Sequence, residues 1–156
     1  MKFRLESDLY KVATAARERE WRLALDDLNA DLEPSPARAT LGRESNGSVC
    51  IAFSEDQRPA KDIVLHKERL RRHFRDYRRI IERLARVGHG AASVRQLEAL
   101  DYAKKLVHDE AGETMQRLVS EQLSLEHKTA RRLFTLVFLV ANELPEPLVN
   151  QHRHAP

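Results

Sequence analysis

At 156 residues, 42% hydrophobic and 33% charged, the chain reads as one soluble globular domain able to bury about two thirds of its unfolded surface. Its single cysteine, Cys50, excludes an internal disulfide and falls in an apolar strand-like segment, where a buried reduced thiol is expected rather than a nucleophile. The first residues lack the apolar run of a secretory signal, and the most apolar stretch, residues 133–141, is about half the length that crosses a bilayer, so a cytoplasmic protein without membrane contact is expected.

Residues 2–6 alternate polar and apolar side chains and predict a short strand. Residues 15–32 turn helical, with Trp21, Leu25, Leu28 and Leu32 stepping by 4, 3 and 4, and Pro34 and Pro36 stop that helix. A β pattern follows. Residues 39–41 and 49–53 flank a turn at Ser45, Asn46, Gly47 and Ser48, a hairpin in which Asn46 and Gly47 would supply the positive-φ pair. A connection at 54–59 leads to a third strand at 62–66, which completes an antiparallel meander.

Everything after Lys67 is helical. The first of these helices runs to about Val87 and stops at Gly88, His89 and Gly90. Ser93 and Gln96 make a capping-box pattern for the next, which continues to about Leu123 with Gly112 as the place where it would bend. Ser124 would cap a last helix ending before Pro145. The fold class is therefore α+β and helix-dominated: a small three-stranded antiparallel meander packed against about four helices. One domain spans residues 1–145, and residues 146–156 are expected to form a disordered tail.

Residues 67–86 hold eight arginines and one lysine against three acids, a local charge of +6 in a chain whose total is +3. Leu70, Phe74, Tyr77, Ile81 and Leu84 share one face of that helix, and Arg72, Arg75, Arg79, Arg83 and Arg86 centre on the opposite one, with Arg69, Arg71 and Arg78 on the flanks. One reading is a solvated amphipathic helix whose arginines border the core or pair with acids elsewhere. The other is an anion-binding face, because the planar guanidinium grips phosphate or carboxylate in bidentate fashion. RNA, a ribosomal surface and an acidic protein surface are all admissible partners. Phe74 and Tyr77 lie on the core side, so this helix offers bases no stacking platform.

On the next helix, Asp101 and His108 border the apolar face seven residues apart, a pair that could serve acid–base chemistry with Glu110 nearby. No His-Glu-x-x-His spacing occurs, and His108 and Glu110 point in different directions on a helix, so neither metal nor cofactor is expected. Arg131 and Arg132 stand near the start of the last helix, where guanidinium and helix dipole together could hold an anion, or each could pair with an acid of a neighbouring helix. That helix is apolar nearly all round, as suits a bundle centre or half of a homodimer interface.

The segment TARRLFTLV at residues 129–137, with QLEALD at 96–101 leading to His108 and Glu110, resembles a bacterial family catalogued only as uncharacterised protein family 0262. The resemblance extends over roughly residues 16–140 and includes Asp76 and Tyr77. It implies a cytoplasmic bacterial protein but no activity, cofactor or substrate. Asp76, Tyr77, Asp101, His108, Glu110, Arg131 and Arg132 match its recurrent polar positions, whereas Ala111 and Gly112 stand where the family tends to have Gly-Ser. The arginine density of residues 69–86 exceeds what the resemblance requires.

The reading that follows is a non-enzymatic binding or regulatory protein that docks an anionic partner through Arg69, Arg72, Arg75, Arg79, Arg83 and Arg86. The alternative is a small enzyme acting on an anionic metabolite, with Asp101 and His108 for proton transfer and Arg131 or Arg132 for binding.

Overall fold

Alternating side chains build the sheet and helical periodicity the layer that covers it. The computed structural model describes residues 1–87, 94–145 and 148. Its elements run β1 (Lys2–Leu5), α1 (Ser7–Lys11), α2 (Ala15–Ala30), β2 (Ala37–Arg43), β3 (Val49–Glu55), β4 (Arg58–Pro59), β5 (Ile63–Leu65), α3 (Lys67–Val87), α4 (Val94–Val119) and α5 (His127–Ala141). The fold is α+β and helix-dominated, as the sequence predicts, with the short α1 added to the four expected helices.

The expected meander is present as β2, β3 and β5. Ala37 to Arg43 pairs antiparallel with Glu55 to Val49, and β5 takes the far edge of β3 with Leu65 opposite Val49. The sheet as a whole is mixed rather than antiparallel. β1 runs parallel to β2, Phe3 opposite Ala39 and Leu5 opposite Leu41, since α2 returns the chain to the end of the sheet where β1 began. The two-residue β4 pairs the end of β3.

The tight-turn geometry also differs from expectation. Gly47 has φ 88°, but Asn46 does not share a positive φ. Its Oδ1 instead accepts the Ser48 N–H at 2.9 Å while the Gly47 N–H closes on the Glu44 carbonyl at 3.0 Å. The positive-φ pair is Asp56 and Gln57, at 50° and 64°, in the two-residue turn from β3 to β4.

Ser124 is not the cap of α5. Leu125 is buried and its carbonyl accepts a hydrogen bond from Gln116 Nε2 at 2.9 Å, which keeps that stretch out of the helix until His127. Arg131 and Arg132 consequently lie in the second turn of α5, not at its N-terminus. α4 passes through Gly112 and ends at Val119. The stop at residues 88–90, the cap at Ser93 and the tail 146–156 fall outside the described residues, except for Leu148, whose side chain joins the core.

Phe3, Leu5, Leu41, Val49, Ile51 and Phe53 bury one face of the sheet against the helices. α5 is the central element. It packs against α4, α2 and β3, and nine of its fifteen residues are buried. Trp21 of α2 donates its indole N–H to the Leu139 carbonyl at 3.1 Å, satisfying one of the acceptors that the last turn of α5 leaves free. Thr14 caps α2, its hydroxyl accepting the Arg17 N–H at 3.2 Å.

The outer edge of β1 is closed by a side chain. Asn29 Oδ1 accepts the Phe3 N–H at 2.8 Å and Asn29 Nδ2 donates to the Phe3 carbonyl at 2.9 Å, so one amide mimics the next strand. Asn29→Ala is expected to cost about 1–3 kcal/mol by leaving both groups unmatched, and Asn29→Asp should lie between it and the wild type because only the acceptor is kept. Urea unfolding of the two variants tests this order.

Candidate functional site

α3 and α4 form an antiparallel pair. Arg72 Nη2 meets Glu110 Oε2 at 3.3 Å, His73 and Thr114 share a hydrogen bond at 2.9 Å, and the Tyr77 and His108 rings meet edge to face at 4.8 Å. The apolar face of α3 is buried as its periodicity requires, with Leu70, Tyr77 and Ile81 almost fully enclosed. Its arginines divide into two groups. Arg72, Arg75 and Arg78 have carboxylate partners in Glu110, Asp76 and Glu82. Arg69, Arg71, Arg79, Arg83 and Arg86 have no ion-pair partner among the described residues, and all five are exposed.

His108 is 2% exposed. The Thr135 hydroxyl has one proton, directed to the Arg131 carbonyl at 3.3 Å, so it accepts from His108 Nε2–H at 3.1 Å and leaves Nδ1 unprotonated. Burial, with the nearby Arg131 and Lys104 charges, pushes His108 down to about 4, against the Lys104 carbonyl and Asp109. The Lys104 carbonyl favours the charged ring without forming a well-shaped hydrogen bond to Nδ1. Tyr77, beside it, is fully enclosed with a hydroxyl lacking a hydrogen-bond partner, and burial drives its phenol well above the usual range. Lys104, also fully buried, is pushed down to about 8 by burial, against the pull of Asp101.

The sequence candidates are therefore separated. Asp101 is exposed and acts on Lys104, while the acid that bears on His108 is Asp109. Glu110 is exposed and engaged with Arg72. Arg131 Nε sits 3.2 Å from Asp109 Oδ1, and Arg132 Nη1 reaches Asp31 Oδ2 at 2.5 Å and the Asp27 carbonyl at 2.9 Å. The two guanidiniums thus face different helices, and Arg132 serves the C-terminal end of α2, where a cation suits the helix dipole. His108 and Arg131 do share one neighbourhood, but His108 is enclosed and neutral near pH 7.

Sequence reasoning missed Lys104, Asp109, His127 and Thr135 as members of this cluster. The four-residue step from Lys104 to His108 was a usable signal; the partners on α5 had none. His127 donates from Nε2 to the Asp109 carbonyl at 3.0 Å, directly over Gly112. Cys50 is half-buried rather than buried, and burial raises its thiol, followed by the negative charges of Asp62, Glu44 and Glu6. Among the described residues there is no cluster of three or more His, Cys, Asp or Glu able to hold a metal, and no helix is long and apolar enough to cross a membrane.

This chain belongs to the Uncharacterised protein family (UPF0262), whose model matches residues 1–143. It is 34% identical over 128 residues to the UPF0262 protein of Methylobacterium radiotolerans, covering 78% of this chain and 79% of that one. It is similar also to the UPF0262 proteins of Sphingopyxis alaskensis (29% identity, 77% and 79% of the two chains) and Rhodospirillum rubrum (26%, 77% and 78%). No solved structure matches the chain.

Two outcomes are expected of the α4–α5 seam. Because His108 titrates lower folded than unfolded, the unfolded chain binds the extra proton between about pH 6.5 and 4. Its contribution is complete above that window and lost through it on acidification, by about 3 kcal/mol. His108→Gln should remove that share of the pH dependence, leaving the smaller slope from His73, which burial also lowers. Urea titrations at pH 7 and pH 4 measure it. Gly112→Ala would place a Cβ 2.8 Å from Arg131 Cγ and 3.0 Å from His127 Nε2, at a cost of about 1–3 kcal/mol in thermal unfolding.

Proposed function

We propose that this protein is a binding module that docks an anionic partner on the solvent face of α3. The observation that carries the reading is the set of exposed guanidiniums at Arg69, Arg71, Arg79, Arg83 and Arg86 without ion-pair partners among the described residues. A helix made soluble by charge alone has no need to concentrate so many cations of one kind, and three neighbouring arginines are already neutralised. Exposed guanidiniums keep their charge across the physiological range and bind oxyanions in forked geometry. Rigid α-helical spacing holds Arg79, Arg83 and Arg86 at 4 and 3 residue steps, so their heads form one line.

The enzyme reading has proximity but no access: His108 and Arg131 lie together, yet the ring is enclosed and the guanidinium is paired with Asp109.

Retention on immobilised heparin as a general polyanion tests the docking face. The triple variant Arg79→Glu, Arg83→Glu and Arg86→Glu should elute at clearly lower salt than a control with the same charge change placed at Lys2, Arg19 and Arg58. Equal shifts in the two triple variants would reduce the effect to net charge and overturn the reading.

A further inference from the structure

We propose that the partner is a protein, and that it seats an amphipathic helix with an apolar face and an acidic edge in the groove between α3 and the N-terminal half of α4. This rests on the anion-docking reading of α3 and names the partner's chemistry.

The groove follows from the pairing of the two helices. Arg72 contacts Glu110 at 3.3 Å, which fixes which side of each helix meets the other at the surface. Steps of 4, 7 and 11 residues onward from Arg72 bring Asp76, Arg79 and Arg83 to the same side of α3. The same steps back from Glu110 bring Leu106, Ala103 and Ala99 to the same side of α4. Because the helices are antiparallel, the two rows run side by side, with Arg79 and Arg83 level with Ala103 and Ala99. One wall is cationic and the other apolar.

The apolar wall is not accounted for by the fold. Among the described residues six large apolar side chains are exposed, and two of them belong to this side of α4: Leu106 (45%) in the row of Glu110 and Tyr102 (66%) at its outer edge. Solvating such a pair is costly, and its position beside unpaired guanidiniums matches the two faces of one partner. Leucine and alanine side chains offer nothing to phosphates, and Arg72 and Arg75, engaged by Glu110 and Asp76, shorten the free cationic row that a polyanion would follow. A helix whose carboxylates reach Arg79 and Arg83 while its apolar face covers Leu106 and Tyr102 satisfies both walls. Ala99 and Ala103 let a backbone come close between them. From Arg72 to Arg86 the cationic wall is about 21 Å long, enough for about four turns of a partner helix.

The test uses the full chain and three fluorescent probes in anisotropy titrations. They are a synthetic 16-residue helical peptide with leucines along one face and glutamates along its edge, the same peptide with lysine for each glutamate, and a 16-nucleotide oligouridine. The acidic peptide should bind and the lysine peptide should not. Both Tyr102→Ser/Leu106→Ser and Arg79→Glu/Arg83→Glu should weaken the acidic peptide by about tenfold or more, equivalent to about 1.4 kcal/mol. These positions are exposed, and an unchanged thermal transition shows that each variant is folded.

Failure of the acidic peptide to bind at about 1 mM overturns the inference, as does binding that ignores Tyr102 and Leu106. If oligouridine alone binds, and Arg79→Glu/Arg83→Glu abolishes it, the anion-docking reading stands and the protein partner falls. If the arginine substitutions alter neither probe, both fall.

Discussion

The enclosure of α5 is the constraint on which the rest of the fold depends. A helix with nine of fifteen residues buried and apolar side chains on most of its circumference cannot lie on a surface, so other elements must surround it. The sheet supplies one wall through Val49, Ile51 and Phe53, α2 another through Trp21, and α3 and α4 the remainder. Phe74, Tyr77, Phe134 and Phe138 interlock around it with centroids 4.7 to 6.3 Å apart, mostly edge to face, the geometry that aromatic quadrupoles favour. The indole bond to Leu139 ties α2 to the far end of the same helix.

Enclosing α5 also forces its polar residues to find partners inside the fold. Arg131 turns to Asp109 on α4 and Arg132 to Asp31 at the end of α2, so the two adjacent arginines staple α5 to different neighbours. Thr135 takes His108 as its donor, and His127 crosses Gly112 to reach the Asp109 carbonyl. Polar positions shared with the family resemblance, His108, Arg131 and Arg132 among them, thereby acquire a structural explanation. The absence of a side chain at Gly112 is what allows this close approach. A buried histidine held neutral and a buried lysine with its proton affinity lowered are the electrostatic consequence of packing polar groups so near the core.

The outer surface follows a different logic. α3 turns arginines outward in numbers that the core does not need, and α4 leaves apolar side chains beside them that the core does not use. Each is ordinary alone. Their adjacency arises because the buried contacts of His73 with Thr114 and of Tyr77 with His108 set the rotation of one helix against the other. Of the neutralised arginines only Arg72 reaches across to α4, whereas Arg75 and Arg78 pair within α3.

Local order was legible in the residues themselves. The alternation in residues 2–6, the 4, 3, 4 steps of α2, and the opposed apolar and arginine faces of α3 each follow from the period of one element, which neighbouring residues encode. Boundaries failed where tertiary contacts outweigh local preference, as at Ser124, whose capping chemistry yields to the burial of Leu125. The direction of β1, the separation of Asp101 from His108 and the partners of Arg131 and Arg132 belong to the tertiary structure alone. Asp31 and Arg132 are 101 residues apart, and His108 and Thr135 are 27 apart. No periodicity spans such distances. The sequence by itself determined which face each helix buries, because that is set by side-chain spacing within a few turns. Only the packing of helices around α5 decided which charges meet across elements, because that depends on rotations and offsets between elements that no single segment contains.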